Sequence, residues 1–166
     1  IANFANRDFL TGAYNRRYFY QDIEEYVQTA EELDEPYAFA MLDIDHFKKI
    51  NDTYGHDGGD KILKSLAKIL TDNTKGRDVV ARFGGEEFCV VLKKIEREEA
   101  IKFFVNLRAK VAENGVIIKD KIVKVTVSIG ISFGKGHCEI DDMLEACDSA
   151  LYVAKENGRN RVEIAL

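Results

Sequence analysis

The segment Arg82-Phe83-Gly84-Gly85-Glu86-Glu87-Phe88 decides the fold prediction. Its two glycines separate a strand-like run that ends at Phe83 from a second one that begins at Phe88. A Gly-Gly pair in this setting predicts a tight hairpin, because the favoured turns need positive φ angles. Glu86 and Glu87 then open the second strand at its solvent end. Adjacent carboxylates repel each other unless a cation or solvent relieves them, so this end of the strand is either a metal site or a solvated acidic turn.

Composition predicts a single globular domain over residues 1–166. The chain is 46% hydrophobic and 32% charged, which is ordinary for a soluble protein. The net charge of −5 and the lack of a dense basic tract argue against a nucleic-acid partner. No apolar run approaches the ~20 residues of a membrane span, so we expect no membrane contact by this domain. Because Ile1 to Phe4 begin in mid-pattern without Met, we interpret the domain as excised from a longer signalling protein with an N-terminal sensor or regulatory domain.

The three cysteines predict a reducing environment. Cys89, Cys138 and Cys147 lie far apart without CxxC spacing, and two of them fall in apolar patterns. Such residues are typical of reduced core thiols rather than of a zinc site or a disulfide framework. We therefore expect a cytoplasmic protein.

The hydrophobic periodicity predicts an α+β sandwich. Helices are predicted over 15–33, 46–54, 60–70, 100–112 and 140–156, and strands over 37–42, 79–83, 88–92, 123–131 and 162–164. Without its additional elements, the order is β-α-β-β-α-β, which is the ferredoxin-like split βαβ. We therefore predict a ferredoxin-like βαββαβ core with an additional N-terminal helix.

This topology brings acidic residues together. The first and third strands of the βαββαβ unit are antiparallel neighbours at the centre of the sheet. Asp43 follows the first strand and Glu86 precedes the third, so their carboxylates should meet at one edge. The fold prediction thus joins two residues that are distant in sequence.

The loop from Asp43 to Asp60 completes a candidate site. An EF-hand is excluded, because Phe47 and Lys48 would occupy a ligand position and the invariant glycine position. What remains is a carboxylate at a strand end, followed by lysines on the first turn of a helix. Helix N-terminal N–H groups and lysines bind phosphate, and carboxylates hold Mg²⁺, so a nucleoside triphosphate fits. Both aspartates also have a structural interpretation. Asp43 could equally cap the following helix, and Asp45 fits the N-cap of that helix better than it fits a metal ligand.

Five motifs in order resemble the GGDEF family of diguanylate cyclases, in its GGEEF spelling. They are Asp8-Phe9-Leu10-Thr11-Gly12-Ala13-Tyr14-Asn15-Arg16-Arg17, the 43–60 loop, the 84–88 turn, Val127-Ser128-Ile129-Gly130, and the 150–160 segment ending Asn157-Gly158-Arg159-Asn160. The resemblance covers nearly the whole chain. It implies a nucleotidyl-cyclase type of ferredoxin-like fold.

The resemblance implies that two GTP molecules condense to cyclic di-GMP with release of two pyrophosphates at a homodimer junction. Asp43, the backbone carbonyl of Ile44 and Glu86 would hold two Mg²⁺ (or Mn²⁺) ions in each active site. Glu86 is also the implied proton acceptor. Glu87 is implied to be a secondary metal-binding or orienting group.

The resemblance also implies a guanine pocket. Asn51 and Asp60 are the implied base-reading residues, and Phe47 and His56 line the same pocket. A carboxylate accepts from both guanine N1–H and N2–H₂, a donor pair that adenine lacks. Without the resemblance, Phe47 is typical of a core residue and His56 of a turn residue.

Three cations are implied phosphate partners: Lys48, Lys155 and Arg159. For Lys155 and Arg159 an alternative exists, because cations near a helix C-terminus are stabilising without any ligand.

One departure from the family pattern concerns product inhibition. Many members carry R-x-x-D before the glycine turn as an inhibitory product site, and the matching positions here are Lys75 and Asp78. Arginine grips guanine with a planar fork, whereas lysine is a point charge. We expect this degenerate site to bind product weakly.

A second hypothesis is a non-catalytic GTP-binding or cyclic di-GMP-binding sensor module. The intact set of Asp43, Glu86 and Glu87, together with Asn51 and Asp60, favours the enzyme. A degenerate module is expected to have lost at least one of them.

Overall fold

The structure is a computed structural model that describes residues 5–166. The interpretation of Ile1 to Phe4 as a mid-pattern start lies outside the described residues. None of the helices within 5–166 combines the length and apolar composition needed to cross a bilayer.

The elements alternate along the chain much as the periodicity predicts. The helices are α1 (Arg16–Leu33), α2 (Phe47–Asn73), α3 (Arg97–Glu113) and α4 (Ile140–Glu156). The strands are β1 (Tyr14–Asn15), β2 (Pro36–Ile44), β3 (Val79–Gly84), β4 (Glu87–Lys93), β5 (Val116–Ile118), β6 (Lys121–Val123), β7 (Val127–Lys135) and β8 (Val162–Ile164).

The central sheet has the order β1-β3-β4-β2-β7-β8. β2 pairs antiparallel with both β4 and β7, and β3 pairs antiparallel with β4. β1 and β8 add parallel pairs at the two edges. The predicted neighbours at the sheet centre are confirmed, and so is the mixed α/β fold with a ferredoxin-like core.

Both faces of β2 are covered, which explains its uninterrupted apolar sequence. One face packs in a cluster with α2 and α3, and the opposite face packs in a second cluster with α1 and α4. The face towards α2 and α3 carries Ala38, Ala40 and Leu42. The face towards α1 and α4 carries Tyr37, Phe39 and Met41. This packing fixes the end of β2, where Asp43 lies.

Gly130 sets how closely α4 approaches the sheet. A Cβ atom at this position would lie 2.2 Å from the Cys147 carbonyl oxygen and 2.2 Å from the Leu151 nitrogen. Only glycine therefore allows the helix backbone to pack directly on β7. The close packing places the C-terminal end of α4 beside the end of β2.

The predicted strand over 123–131 is wrong at its start. β6 ends at Val123 and β7 begins at Val127. Lys119 (φ 49°) and Asp120 (φ 65°) form the turn of a separate β5–β6 hairpin. The apolar alternation runs across the connection, so periodicity could not reveal the break.

The two helices predicted over 46–54 and 60–70 meet at Gly55 within α2. Gly55 has φ 76° and ψ 172°, and helical geometry resumes directly after it, earlier than predicted. A positive φ of this kind favours glycine.

The glycine turn lies one residue later than predicted. Gly84 still belongs to β3 and pairs with Glu87, so Gly85 and Glu86 are the central turn residues. Only Gly85 has a positive φ, at 39°. Glu86 is therefore in the turn itself, and Glu87 opens β4.

Within residues 5–166 the three cysteines form no disulfide. Cys89 and Cys147 are fully buried, and burial raises the pKa of both thiols.

Candidate active site

Asp43 and the two glutamates meet at one edge of the sheet. Asp43 is the penultimate residue of β2, and its register partners are Glu87 on β4 and Ser128 on β7. Only 6% of Asp43 is exposed, while Glu86 and Glu87 are half-buried. The strand ends predicted to be neighbours lie side by side, with Glu87 rather than Glu86 directly opposite Asp43.

The electrostatic environment disfavours negative charge at this edge. Burial raises the pKa of Asp43; Lys155 opposes the increase, and the charges of Glu86 and Asp45 add to it. Burial also raises the pKa of Glu87, with further increases from Asp43 and Asp148. A cation in this cluster would relieve both penalties.

Lys155, in the last turn of α4, already supplies one positive charge. Its Nζ forms an ion pair and hydrogen bond with Asp43 Oδ2. The sequence predicted Lys155 as a phosphate partner, and the structure places it on the carboxylate predicted to bind metal. Lys155 is 35% exposed, so its ammonium group also reaches solvent.

The second oxygen of Asp43, Oδ1, is buried. Among residues 5–166 it accepts no hydrogen bond, a costly state for a carboxylate oxygen. The helix-cap interpretation of Asp43 is wrong, since Asp43 lies in β2 and His46 directly precedes α2. An unpartnered buried oxygen beside further carboxylates fits a divalent cation.

The described residues do not form a complete metal cage. Across residues 5–166, no three His, Cys, Asp or Glu side chains converge in a group that could hold an ion. Mg²⁺ commonly takes one or two carboxylates from the protein and the remaining ligands from water and substrate phosphates. The donor set of Asp43, Ile44 and Glu86 fits this partial coordination.

Asp45 is not the N-cap that the sequence suggested. It is 6% exposed and accepts hydrogen bonds from Thr126 Oγ1 (2.7 Å), Ser128 Oγ (2.6 Å) and the Asn160 backbone N–H (3.0 Å). The residue before α2 is His46, at φ 57°, and it makes no side-chain cap. Asp45 instead links the end of β2 to β7 and to the loop after α4.

Arg82 braces the glycine turn. Its Nε and Nη2 donate to the Gly85 carbonyl oxygen at 3.0 and 2.8 Å. Its Nη1 contacts Asp8 Oδ2 at 3.1 Å, and Asp8 also accepts from the Thr11 backbone N–H and hydroxyl. The first motif and the glycine turn are thus joined. Sequence reasoning missed this contact, although both residues lie in motifs that it singled out.

The predicted base-reading residues lie along α2. Asn51 Oδ1 is buried and has no hydrogen-bond partner in the part of the chain that the structure describes. A Cβ atom at Gly59 would lie 1.9 Å from Asn51 Oδ1 and 3.2 Å from Phe47 Cζ, so Gly59 makes room for both side chains. Phe47 belongs to the core, and Asp60 is half-buried directly after Gly59.

The remaining predicted contacts are exposed. His56 lies directly after the Gly55 kink, and Arg159 lies in the loop after α4 at φ 63°. Lys48 pairs with Asp52 at 3.3 Å while 91% exposed. An exposed i,i+4 pair contributes little to stability, so Lys48 is free to exchange this partner for another anion.

Comparison with known proteins identifies the family. A sequence model of the family described as "Diguanylate cyclase, GGDEF domain" matches residues 5–161. The chain belongs to the GGDEF family. Among curated relatives, this GGDEF domain is 38% identical over 162 residues to diguanylate cyclase A of Treponema denticola, and 38% identical over 165 residues to the probable diguanylate cyclase DgcT of Escherichia coli K12.

Solved GGDEF structures share the fold over most of their length. The active GGEEF domain of a diguanylate cyclase from Vibrio cholerae is 35% identical with a TM-score of 0.84, covering 92% of this chain and 97% of that one. The coiled coil and GGDEF domain of DgcB from Caulobacter crescentus, in complex with c-di-GMP, is 30% identical with a TM-score of 0.93, covering 99% and 87%. The curated relatives are longer than this chain. The alignments include 95% and 98% of this GGDEF domain but only 44% and 36% of the length of the two relatives.

Lys75 and Asp78, which the sequence predicts as a degenerate inhibitory site, form a turn. Asp78 Oδ2 accepts the Lys75 backbone N–H at 2.9 Å, and Asp78 Oδ1 accepts the Lys93 backbone N–H at 3.0 Å. A cavity of about 180 Å³ beside them is also lined by Arg7 and Tyr14. Arg7 stacks on the Tyr14 ring at 4.2 Å and donates to the Gly12 carbonyl oxygen.

Proposed function

We propose that this GGDEF domain condenses two GTP molecules into cyclic di-GMP and releases two pyrophosphates. The observation that carries the proposal is Asp43 Oδ1, a buried carboxylate oxygen that has no hydrogen-bond partner within residues 5–166, at the strand end that also carries Glu86 and Glu87. The chain also belongs to a family of diguanylate cyclases and keeps the motifs of that family. The proposal places the reaction in the cytoplasm, where GTP is available.

Asp43, the Ile44 carbonyl and Glu86 would hold two Mg²⁺ (or Mn²⁺) ions. When bound, such ions lower the pKa of an attacking hydroxyl and neutralise a leaving pyrophosphate. Glu86, in the turn between β3 and β4, accepts the proton of the 3′-hydroxyl. Glu87, directly opposite Asp43, is a secondary metal-binding or orienting group.

Lys48, Lys155 and Arg159 bind the triphosphate. Lys155 Nζ donates a hydrogen bond to Asp43 Oδ2. If Asp43 held a metal ion, the Lys155 ammonium group would be released to bind a phosphate oxygen. Lys48 exchanges its exposed pairing with Asp52 for a phosphate in the same way.

Asn51 and Asp60 select guanine, with Phe47 and His56 lining the same pocket. The unpartnered Asn51 Oδ1 is an acceptor that needs a donor, and guanine offers N–H donors. Asp60 accepts from N1–H and N2–H₂ together, a pair that adenine lacks.

Replacing Asp60 by serine is expected to relax the choice of base. Serine cannot accept both guanine donors, so the preference for GTP over ATP should fall and mixed or adenine-containing products should appear. Competition assays with GTP and ATP, with products separated by mass, measure this. Equal use of ATP and GTP by the native domain would contradict the assignment. The matched control is Asp57→Ser, at an exposed position of the same helix.

Catalysis requires a homodimer. Cyclic di-GMP joins two nucleotides symmetrically, whereas one domain supplies one pocket. Each GTP must present its 3′-hydroxyl to the α-phosphate of the other, so two pockets face each other across a two-fold axis. Bringing the two substrates together is then the task of an upstream segment, and a solved relative carries a coiled coil with its GGDEF domain.

Specific activity of the isolated chain is expected to rise with protein concentration. Fusion of a parallel coiled-coil dimer to the N-terminus should raise it further, because the second domain is then always nearby. Sizing and initial rates over the same concentration range test this. Constant specific activity where only monomer is present would rule out the dimer mechanism.

Inhibition by cyclic di-GMP is expected to be weak and to strengthen in Lys75→Arg. Arginine restores the planar fork that grips guanine in two bonds. Inhibition constants of the native chain and the variant measure the change. Tight product binding by the native chain in calorimetry, lost in Asp78→Ala, would contradict the expectation.

Product analysis tests the proposed function. Concentrated domain is incubated with Mg²⁺ and GTP, and the nucleotides are identified by mass spectrometry. Cyclic di-GMP is the expected product. Binding of GTP in calorimetry without any product would instead support the sensor-module hypothesis.

A further inference from the structure

The buried carboxylate of Asp45, directly after β2, accepts three hydrogen bonds. Its Oδ1 accepts from Ser128, and its Oδ2 accepts from both Thr126 and the Asn160 backbone N–H. Its own backbone N–H donates to the Thr126 carbonyl oxygen at 2.9 Å. The proposed function gives this buried carboxylate no role.

The loop that Asp45 contacts has an unusual backbone. Gly158, Arg159 and Asn160 follow one another at φ angles of 120°, 63° and 47°. A residue with a side chain pays about 1 kcal/mol or more for a left-handed conformation, and such conformations persist only where the surroundings enforce them. Arg159 is therefore held in a conformation that it would not adopt alone.

Three contacts enforce this loop. The Arg159 N–H donates to the Ala154 carbonyl oxygen at 2.9 Å, which ends α4. The Asn160 side-chain oxygen accepts from Arg108 Nη1 at 2.7 Å. The Asn160 N–H donates to Asp45; this bond is charge-assisted, as is the one from Arg108, and its acceptor is a buried carboxylate.

The strand contacts of Asp45 do not explain its charge. β2 and β7 already pair along their length, from Pro36 opposite Lys135 to Ile44 opposite Val127. The bond to Asn160 is different, because it joins the end of β2 to the segment that carries Arg159. Together with the Asp43–Lys155 pair, it fastens the C-terminal end of α4 to the end of β2 at two points.

We infer that Asp45 is a positioning residue for Arg159: its carboxylate fixes the left-handed loop after α4, so that the Arg159 guanidinium points at the triphosphate held at the end of β2. The inference rests on the proposed phosphate role of Arg159. It assigns to the second aspartate of the Asp43-Ile44-Asp45 segment a task distinct from binding metal.

Binding of an uncleavable substrate analogue tests the inference. The probe is the α,β-methylene analogue of GTP with Mg²⁺, and calorimetry gives its Kd. Arg159→Ala should weaken binding about tenfold, the loss of one charged contact. Asp45→Ala, which removes the acceptor for the Asn160 N–H, should weaken binding by the same factor. The double variant Asp45→Ala/Arg159→Ala should bind no more weakly than Arg159→Ala.

Two further variants separate positioning from general stability. Asp45→Asn keeps an oxygen for the Asn160 N–H and should restore most of the affinity. Ser128→Ala removes a different bond to Asp45 and should leave the Kd unchanged while lowering the unfolding temperature. If Asp45→Ala does not fold, Asp45→Ser replaces it, because a serine hydroxyl keeps one polar group at this position but is too short to reach the place of Oδ2, to which the Asn160 N–H donates.

The outcomes distinguish the two ideas. Weakened binding in Arg159→Ala with native affinity in folded Asp45→Ala or Asp45→Ser would overturn the positioning role alone. So would additive losses in the double variant, which indicate that Asp45 acts independently of Arg159. An unchanged Kd in Arg159→Ala would overturn the phosphate role of Arg159 and, with it, the inference.

Discussion

Replacing Glu86 by glutamine is expected to abolish formation of cyclic di-GMP while the domain stays folded. Glutamine keeps the shape of the side chain but neither accepts the hydroxyl proton nor offers a charge to a metal ion. Loss of a general base costs about 10²–10⁴-fold in rate, and loss of a metal ligand adds to it. Initial rates of product formation, measured beside thermal unfolding, test the prediction.

The fold should tolerate this change. Glu86 is half-buried in a turn whose shape comes from the positive φ of Gly85 and the Arg82 brace, not from the carboxylate. Glu113→Gln, at the exposed end of α3, is the matched control and should keep full activity. Near-native turnover in Glu86→Gln would show that the metal and base assignments are wrong.

Replacing Asp43 by asparagine is expected to abolish activity and to raise the unfolding temperature by a few degrees. Asparagine removes a carboxylate whose ionisation the fold penalises through burial and through Glu86 and Asp45. Lys155 loses its partner, but it is 35% exposed and can be hydrated instead. Residues placed for catalysis often reduce stability in this way.

The stabilisation by Asp43→Asn should depend on pH. Because the folded pKa of Asp43 is raised, the folded state binds its proton more tightly than the unfolded state. The native chain therefore loses stability as pH rises from the unfolded pKa through the folded one. The difference in unfolding free energy between Asp43→Asn and the native chain should therefore grow as pH rises between the two pKa values and stay constant above them. Unfolding free energies measured across acidic and neutral pH test this.

An exposed ion pair provides the control for Asp43. Asp72 pairs with Lys68 at 2.6 Å with both side chains largely exposed, so Asp72→Asn should change the unfolding temperature little at any pH. A marked loss of stability in Asp43→Asn would contradict this expectation, because it would mean that the Asp43–Lys155 pair stabilises the fold by more than burial of the carboxylate destabilises it.

Sequence patterns predicted the parts of the site that depend on topology. The ferredoxin-like order places the end of β2 beside the start of β4, so Asp43 and the glutamates could be brought together from periodicity alone. The uninterrupted apolar run before Asp43 marked a strand covered on both faces. These features depend on backbone pairing, which leaves a strong pattern in sequence.

Contacts between side chains and backbone were not predictable in the same way. Asp45 resembles any N-cap in sequence, and only the position of Asn160 shows that it bridges to another loop. Lys119 and Asp120 form a left-handed turn without the usual Asn-Gly signal, so the β5–β6 hairpin was not predicted and only its last residue, Val123, was assigned, wrongly, to the next strand. The one-residue shift of the glycine turn arises because Gly84 pairs with Glu87 as a strand residue.

Pyrophosphate release from GTP distinguishes a cyclising GGDEF domain from one that only binds nucleotide. The native domain, fused to a dimeric coiled coil and supplied with Mg²⁺ and GTP, should release two pyrophosphates for each cyclic di-GMP formed, and omission of Mg²⁺ should stop both. GTP binding without pyrophosphate release at any protein concentration, by folded and dimeric protein, would contradict the account.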